Sequence, residues 1–158
     1  MNCFDWTCEI GVGHPEIDRQ HKRLFLLGEA VVESLTKSDE RKVTVAQLQG
    51  FNVFALEHFK YEEGLMRSTS YPKAEQHARD HALLLTELIV ECENVHWGRN
   101  INPEGLTSFL WNWLILHIDI ADRELVAWLK SHENDVTDAL LCLHLPSEQS
   151  QRQGYLSD

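Results

Sequence analysis

The sequence places histidines and carboxylates where a helix packed in a bundle would carry apolar side chains. In the stretch HFKYEEGLM, residues 58–66, His58 lies one helical turn before Glu62 and on the same face as Leu65. Imidazole and carboxylate groups are ligands of transition-metal ions, whereas either group buried without a partner loses several kcal/mol of hydration. This spacing therefore indicates a pair of metal ligands on the buried face of a helix.

Side chains of the same kind fall on the apolar faces of four successive predicted helices. They are His21, His58, Glu62, His77, His81, His117 and, by an offset path, Asp122. A single histidine on an apolar face is more often a hydrogen-bonded core residue than a ligand, and one i,i+4 pair is common. The coincidence would here have to recur on every helix, so the sequence predicts a metal centre in the core.

The number of donors indicates how many ions the centre holds. Five imidazoles and two carboxylates exceed the coordination of one octahedral ion, whereas two ions bridged by both carboxylates and a solvent oxygen fit this inventory. An odd number of histidines makes the ions unequal, because the ion with three histidines is saturated and the other keeps an open position. These ligands suit iron, although zinc or manganese could occupy them.

Bulky apolar side chains are predicted to wall the open position. They are Leu24, Phe59, Trp113 and Ile120, each within one turn of a predicted ligand. Such walls would admit a neutral diatomic molecule such as O2 and keep bulk water and larger substrates out. Ordinary core packing is the alternative for each of them, most of all for Phe59.

The elements that must hold these residues are four helices with short connections. The first is predicted to end at TKSDE (36–40) and the second at STSYP (68–72). The third ends at Gly98, and the fourth begins at Asn102 with Pro103 in its first turn. Short connections favour antiparallel neighbours, so the predicted fold class is all-α, an up-down-up-down antiparallel four-helix bundle.

The predicted bundle occupies residues 1–132 and includes an N-terminal arm. Residues 133–158 are predicted to form a C-terminal extension, with a short helix followed by a polar, disordered tail.

The fourth helix contains a change of phase. A regular helical seam after His117 would use Ala121, Glu124 and Trp128. An equally apolar path uses Asp122, Leu125 and Leu129, one residue out of phase. If His117 and Asp122 both face the core, the helix must accommodate an extra residue between them, which predicts a π-helical turn.

Composition excludes several classes of partner. The chain has 25 acidic and 14 basic residues and a formal charge of −11, without a basic cluster, which disfavours nucleic acid and anionic membrane surfaces. No apolar run approaches the roughly 20 residues that span a bilayer, so no membrane insertion is expected. Four scattered cysteines and an N-terminus unlike a secretory signal indicate a cytoplasmic protein with reduced thiols.

These motifs resemble the haemerythrin family, in particular the single-domain bacteriohaemerythrins, over residues 5–130. The resemblance rests on Trp6 and on IDRQHKRLF (17–25), EHFKYEEGLM (57–66), YP (71–72), HARDH (77–81) and WLILHIDIAD (113–122). The family often has leucine at the pocket position that is Ile120 here.

The resemblance implies two non-haem iron ions with a bridging oxo or hydroxo group. It assigns His77, His81 and His117 to the saturated iron, His21 and His58 to the open iron, and Glu62 and Asp122 to the bridges. It further implies reversible O2 binding for transport, storage or delivery rather than catalysis, with O2 and an oxygen-consuming enzyme as candidate partners.

Two other functions compete with oxygen binding. A di-iron oxidase or peroxidase of the ferritin-like class uses two E-x-x-H motifs, and this spacing occurs here once, at Glu93 and His96. A sensor of O2, redox state or iron would need an output, for which residues 134–145 are the visible docking candidate. Packing of that segment on its own bundle is the simpler alternative.

Overall fold

The computed structural model describes residues 6–7, 9–37, 41–99 and 102–132, and they form antiparallel helices. The helices are α1 (Pro15–Lys37), α2 (Arg41–Ser68), α3 (Ala74–Trp97), α4 (Pro103–His117), a π-helical segment (Ile118–Asp122) and α5 (Arg123–Ser131). This described part contains no β-strand. The prediction of an all-α bundle is confirmed. The predicted extension, 133–158, lies outside the described residues.

Helix boundaries follow the local sequence signals. The Asn102 side-chain oxygen accepts a hydrogen bond from the Glu104 amide at 3.1 Å, and Pro103 occupies the first turn of α4. Gly98 ends α3 with a φ of 71°, a left-handed conformation that residues with a Cβ rarely adopt. The predicted C-terminal end of α3 and the predicted start of α4 are therefore confirmed.

The bundle core is apolar at both ends and polar in the middle. α2 packs against α1 and α3, and α1 also packs against α4. The Trp113 indole N–H donates to the Leu84 carbonyl at 3.0 Å and links α4 to α3. Along α2 the buried seam contains Leu48, Phe51, Ala55, His58, Glu62 and Leu65. The polar residues therefore lie between apolar layers that exclude water from them.

The predicted π turn is confirmed in the last helical rod. α4 passes into α5 through Ile118–Asp122, and Asp122, Leu125 and Leu129 are all buried. Glu124, on the alternative seam, is exposed. Hydrogen bonds of the π type join residues five apart, so Asp122 returns to the face that carries His117. The extra residue thus brings both side chains into the core.

The N-terminal arm is tied to the bundle by hydrogen bonds. The Arg123 guanidinium donates to the Gly11 carbonyl at 3.2 Å. The Asp18 carboxylate accepts from the Val12 and Gly13 amides at 2.8 and 3.0 Å. These contacts join the arm to α1 and α5. Within the described residues, no helix has the length and apolar content needed to cross a membrane.

Candidate metal centre

All seven predicted ligands meet in the middle of the bundle, and all are buried. They form two overlapping groups. The three-histidine group contains Glu62, His77, His81, His117 and Asp122, and the two-histidine group contains His21, His58, Glu62 and Asp122. In each group, one ligand atom per residue lies within 4.8 Å of every other. Glu62 and Asp122 therefore belong to both groups.

Asp122 divides its oxygens between the two groups. Its Oδ2 lies 3.1 Å from Nε2 of His21, in the two-histidine group. Its Oδ1 lies 3.2 Å from Nε2 of His77 and 3.1 Å from Nε2 of His117, in the three-histidine group. A carboxylate with one oxygen facing each side has the arrangement required to bridge two ions.

Glu62 is divided in the same way. Its Oε1 lies 3.8 Å from Nε2 of His58. Its Oε2 lies 3.3 Å from Nε2 of His81 and 3.7 Å from Nε2 of His77. The two carboxylates, one from α2 and one from the π segment, thus separate the histidine groups and face both of them.

Imidazoles of the three-histidine group already have the spacing of ligands on one ion. Nε2 of His117 lies 3.4 Å from Nε2 of His77 and 3.1 Å from Nε2 of His81. Neighbouring ligands of an octahedral ion with bonds of about 2.1 Å lie about 3 Å apart. The His117 nitrogen therefore has the spacing of a neighbouring ligand to both His77 and His81 on one octahedral ion.

The protein itself leaves much of this polar cluster unsatisfied. Within the described residues, no hydrogen bond of suitable geometry reaches the buried atoms His21 Nδ1 and Nε2, His58 Nε2, Glu62 Oε1 and Oε2, or Asp122 Oδ1 and Oδ2. Buried polar atoms without partners are costly, and buried carboxylates are the most costly. Cations coordinated by these nitrogens and oxygens would satisfy them. The residues therefore fit a metal-binding site.

The protonation states of the imidazoles also fit a metal-binding site. Burial, aided by the nearby His21, lowers the pKa of His58 to about 3. Burial, aided by His117, lowers the pKa of His81 to about 2. Both rings are therefore neutral at physiological pH, and a neutral imidazole has a free lone pair for a metal.

The two carboxylates shift in opposite directions. Burial, followed by the charge of Asp122, raises the pKa of Glu62 well above its ordinary value. Burial would also raise the pKa of Asp122, but His117 and its neighbouring histidines hold it well below its ordinary value. A cation between the carboxylates would remove their repulsion and keep both ionised.

The structure reveals two orienting side chains that the sequence predictions did not include. Oε1 of Gln20 lies 2.9 Å from Nδ1 of His58, and Oε1 of Glu63 lies 3.2 Å from Nδ1 of His81. Metal-bound histidines generally donate their second N–H to such an outer partner. Gln20 precedes the predicted ligand His21, and Glu63 follows Glu62. A search for outer partners next to predicted ligands would have found both.

Three of the four predicted pocket residues lie in the apolar core. Leu24, Phe59 and Trp113 are buried. The Phe59 ring stacks on His81 with 3.9 Å between centroids and lies 5.5 Å from His58 and 5.7 Å from Trp113. Their role as walls of a ligand pocket stays a prediction.

The prediction that Ile120 is a pocket wall is wrong. Its exposed fraction is 67%, whereas Ile118 is 1% exposed. A π turn places His117 and Asp122 on one face, which leaves Ile120, midway between them, on the opposite side. Ile118 is thus the buried isoleucine of this turn.

Trp6 of the arm lies beside the two-histidine group, a placement that was not predicted from the sequence. Its ring lies 6.3 Å from the His21 ring and meets Phe25 edge-on at 5.4 Å. The arm therefore covers part of the two-histidine group with an aromatic side chain.

Comparisons with known proteins agree with this architecture. The family described as "Hemerythrin HHE cation binding domain" matches residues 12–129. A bacteriohemerythrin of Stenotrophomonas maltophilia is 26% identical over 85% of this chain and 86% of its own length. A hemerythrin-like protein of Naegleria gruberi is 25% identical over 77% of this chain and 89% of its own.

A solved wild-type hemerythrin structure superimposes with a TM-score of 0.68 and 25% identity, covering 75% of this chain and 92% of that one. The matched residues include both histidine groups and both shared carboxylates. This chain therefore belongs to the haemerythrin family.

Proposed function

We propose that the protein binds O2 reversibly at a non-haem di-iron centre with a bridging oxo or hydroxo group, and thereby carries, stores or delivers oxygen. The observation that supports this proposal is the unequal division of one buried cluster. Three histidines lie on one side of the shared carboxylates and two on the other. Two ions held in this way differ in ligand number, and the ion with fewer protein ligands can accept a small molecule.

Each residue has a defined role in this proposal. His77, His81 and His117 hold one iron, His21 and His58 hold the other, and Glu62 and Asp122 each bind both. When bound, the iron pair supplies the electrons and the coordination position for reversible O2 binding. The side chains fix the ions and neutralise part of their charge.

Apolar side chains around the centre protect it from water. Leu24, Phe59, Trp113 and Ile118 are each no more than 4% exposed. A dry pocket admits a small neutral molecule and slows the entry of protons and anions. The proposed ligand is therefore O2 rather than a polar substrate.

Binding without catalysis is proposed because the donors are mostly nitrogen. Five imidazoles accompany two carboxylates in the cluster, so fewer anionic donors can stabilise strongly oxidised iron. The Nδ1 atoms of His58 and His81 contact Gln20 and Glu63, which holds these rings in place. An oxygen-consuming enzyme is the proposed recipient of released O2.

The test is anaerobic reduction of the iron-loaded protein followed by exposure to air. We expect two irons per chain and charge-transfer bands in the near-ultraviolet and visible that appear in air and vanish under vacuum. Glu62→Gln should lose both iron and bands. Glu57→Gln, an exposed acid on the same helix, is the matched control and should retain them.

Two results would contradict oxygen carriage. Irreversible conversion to an oxidised form within seconds of air exposure would favour the sensor or the di-iron oxidase instead. Failure of the wild-type protein to retain iron would overturn the di-iron centre itself.

A further inference from the structure

The two histidine groups have outer hydrogen-bond partners of different charge. His58, in the two-histidine group, contacts the neutral amide of Gln20 at 2.9 Å. His81, in the three-histidine group, contacts the carboxylate of Glu63 at 3.2 Å. Both contacts use Nδ1, so each ring directs Nε2 toward the shared carboxylate of Glu62. The same ligand type is therefore held by a charged acceptor on one side and a neutral one on the other.

A chain of hydrogen bonds from the surface determines how the Gln20 amide is oriented. Its Nε2 donates to Oε1 of Glu16 at 2.6 Å, and the Arg19 guanidinium donates to both oxygens of Glu16 at 2.8 and 2.6 Å. Hydrogen bonding to Arg19 lowers the pKa of Glu16 to about 2, so Glu16 only accepts. The amide oxygen must then face His58, whose Nδ1 must be the donor.

Glu63 provides a stronger acceptor on the other side. Its Oε1 contacts His81, and its Oε2 lies 3.6 Å from the Arg67 guanidinium. Hydrogen bonds to a charged acceptor are roughly twice as strong as neutral ones. Donation to a carboxylate also increases the basicity of the imidazole, which strengthens its bond to a metal.

We propose that Glu63 and Gln20 are positioning residues that make the two metal positions unequal in affinity. Glu63 strengthens the three-histidine position, which binds the first ion tightly, and Gln20 leaves the two-histidine position weaker, so that it binds the second ion. This inference rests on the proposed di-iron centre. It assigns the difference between the positions to outer partners as well as to the number of ligands.

The test is a calorimetric titration of the metal-free protein with Co²⁺ in the absence of O2. Wild type should bind in two steps. Glu63→Gln keeps the shape and removes the charge, and should weaken the first step about 10-fold to 100-fold, the usual range for loss of an outer partner. Gln20→Leu should weaken the second step about 10-fold. Gln20→Glu alone would place two carboxylates in contact, because the Gln20 amide donates to Glu16 at 2.6 Å. It is therefore combined with Glu16→Gln, and this double variant should strengthen the second step about 10-fold.

Matched variants separate this role from a structural one. Glu57→Gln removes an exposed acid from the same helix and should leave both steps unchanged. Glu63→Asp restores the charge and should recover part of the affinity that Glu63→Gln loses. Because Glu63 is partly exposed, its variants should keep the urea midpoint of the metal-free protein.

The outcomes also separate this inference from the proposed function. If wild type binds two ions but Glu63→Gln and the Glu16→Gln, Gln20→Glu double variant leave both steps unchanged, the inference is overturned while the di-iron centre stands. A shift of the metal-free urea midpoint without a change in Co²⁺ affinity would likewise show a structural role only. If wild type binds no Co²⁺ and retains no iron, both proposals fail.

Discussion

The three-histidine group and the two-histidine group use the same ligand type but are assembled differently. His77 and His81 are one turn apart on α3, and His117 joins them from α4. His21 and His58 come from different helices, with 4.8 Å between their ring centroids. Helix geometry alone sets most of the first spacing, whereas packing of α1 on α2 sets the second.

The surroundings of the two groups differ as well. Phe59 stacks on His81 in the three-histidine group. Trp6 of the N-terminal arm lies near His21 in the two-histidine group. The first group is thus enclosed by the bundle itself, and the second is covered partly by a segment outside the helices.

Substitution of a shared carboxylate should affect both groups and have the largest effect. In Asp122→Asn, one oxygen becomes an amide NH2, which has no lone pair available to donate to a metal ion. Iron analysis of the purified variant should give less than one iron per chain instead of two. Asp119→Asn, an exposed position in the same π segment, is the control and should retain both irons. Retention of two irons by Asp122→Asn would contradict a bridging role.

Acid should destabilise the metal-free chain through both groups. The unfolded imidazoles gain protons near pH 6.5, whereas folded His58 and His81 do so only near 3 and 2. Below pH 6.5 the unfolded state therefore binds more protons, and the free energy of unfolding decreases as the pH is lowered. Because the pKa of Glu62 is raised, folded Glu62 holds a proton above pH 4.5 that the unfolded chain lacks, and this offsets the effect of one of the two histidines. Below pH 4.5 Glu62 is protonated in both states and offsets neither.

Urea unfolding of the metal-free protein therefore should show a midpoint that falls slowly from pH 6.5 to 4.5 and steeply below it. The metal-loaded protein should keep its midpoint to lower pH, because bound ions compete with protons for the same nitrogens. A midpoint that is flat or rises on acidification would show that these imidazoles are not neutral in the folded chain.

Removal of Phe59, which stacks on His81 and also lies beside His58, and removal of Trp6, which lies beside His21, should lower the stability of the chain by different amounts. Phe59 is 1% exposed, so Phe59→Ala should lower the free energy of unfolding by about 3 to 5 kcal/mol. Trp6 is half-buried in the arm, so Trp6→Ala should cost less. Urea unfolding measures both changes. A larger loss for Trp6→Ala would show that the arm contributes more to the two-histidine group than its burial indicates.

Deletion of Ile120 should have the smallest effect on stability but still weaken metal binding. It would leave His117 and Asp122 four residues apart, which a regular α-helix places on one face. The free energy of unfolding without metal should stay equal or rise. Co²⁺ affinity should fall, because Asp122 would shift along the helix relative to His21 and His77, and its two oxygens would no longer face both groups as they do now. Ile120→Ala keeps the π turn and is the matched control. Unchanged Co²⁺ affinity in the deletion variant would show that the π turn does not contribute to metal binding.

Most of the fold could be predicted from the sequence because its signals are local. The cap at Asn102, the stop at Gly98 and the buried seam of α2 all depend on residues within one or two turns. The π turn could be predicted from the change of phase after His117. The error at Ile120 arose because an α-helical period was applied across a turn already predicted to be π-helical.

The amino-acid sequence alone determined the ligand types and the helix faces that carry them, since periodicity places residues on a face regardless of what lies opposite. Tertiary structure decided how the carboxylate oxygens divide between the groups, which side chains orient His58 and His81, and where Trp6 packs. These features depend on angles and distances between helices and between the arm and α1. Spacing along one chain segment does not contain them.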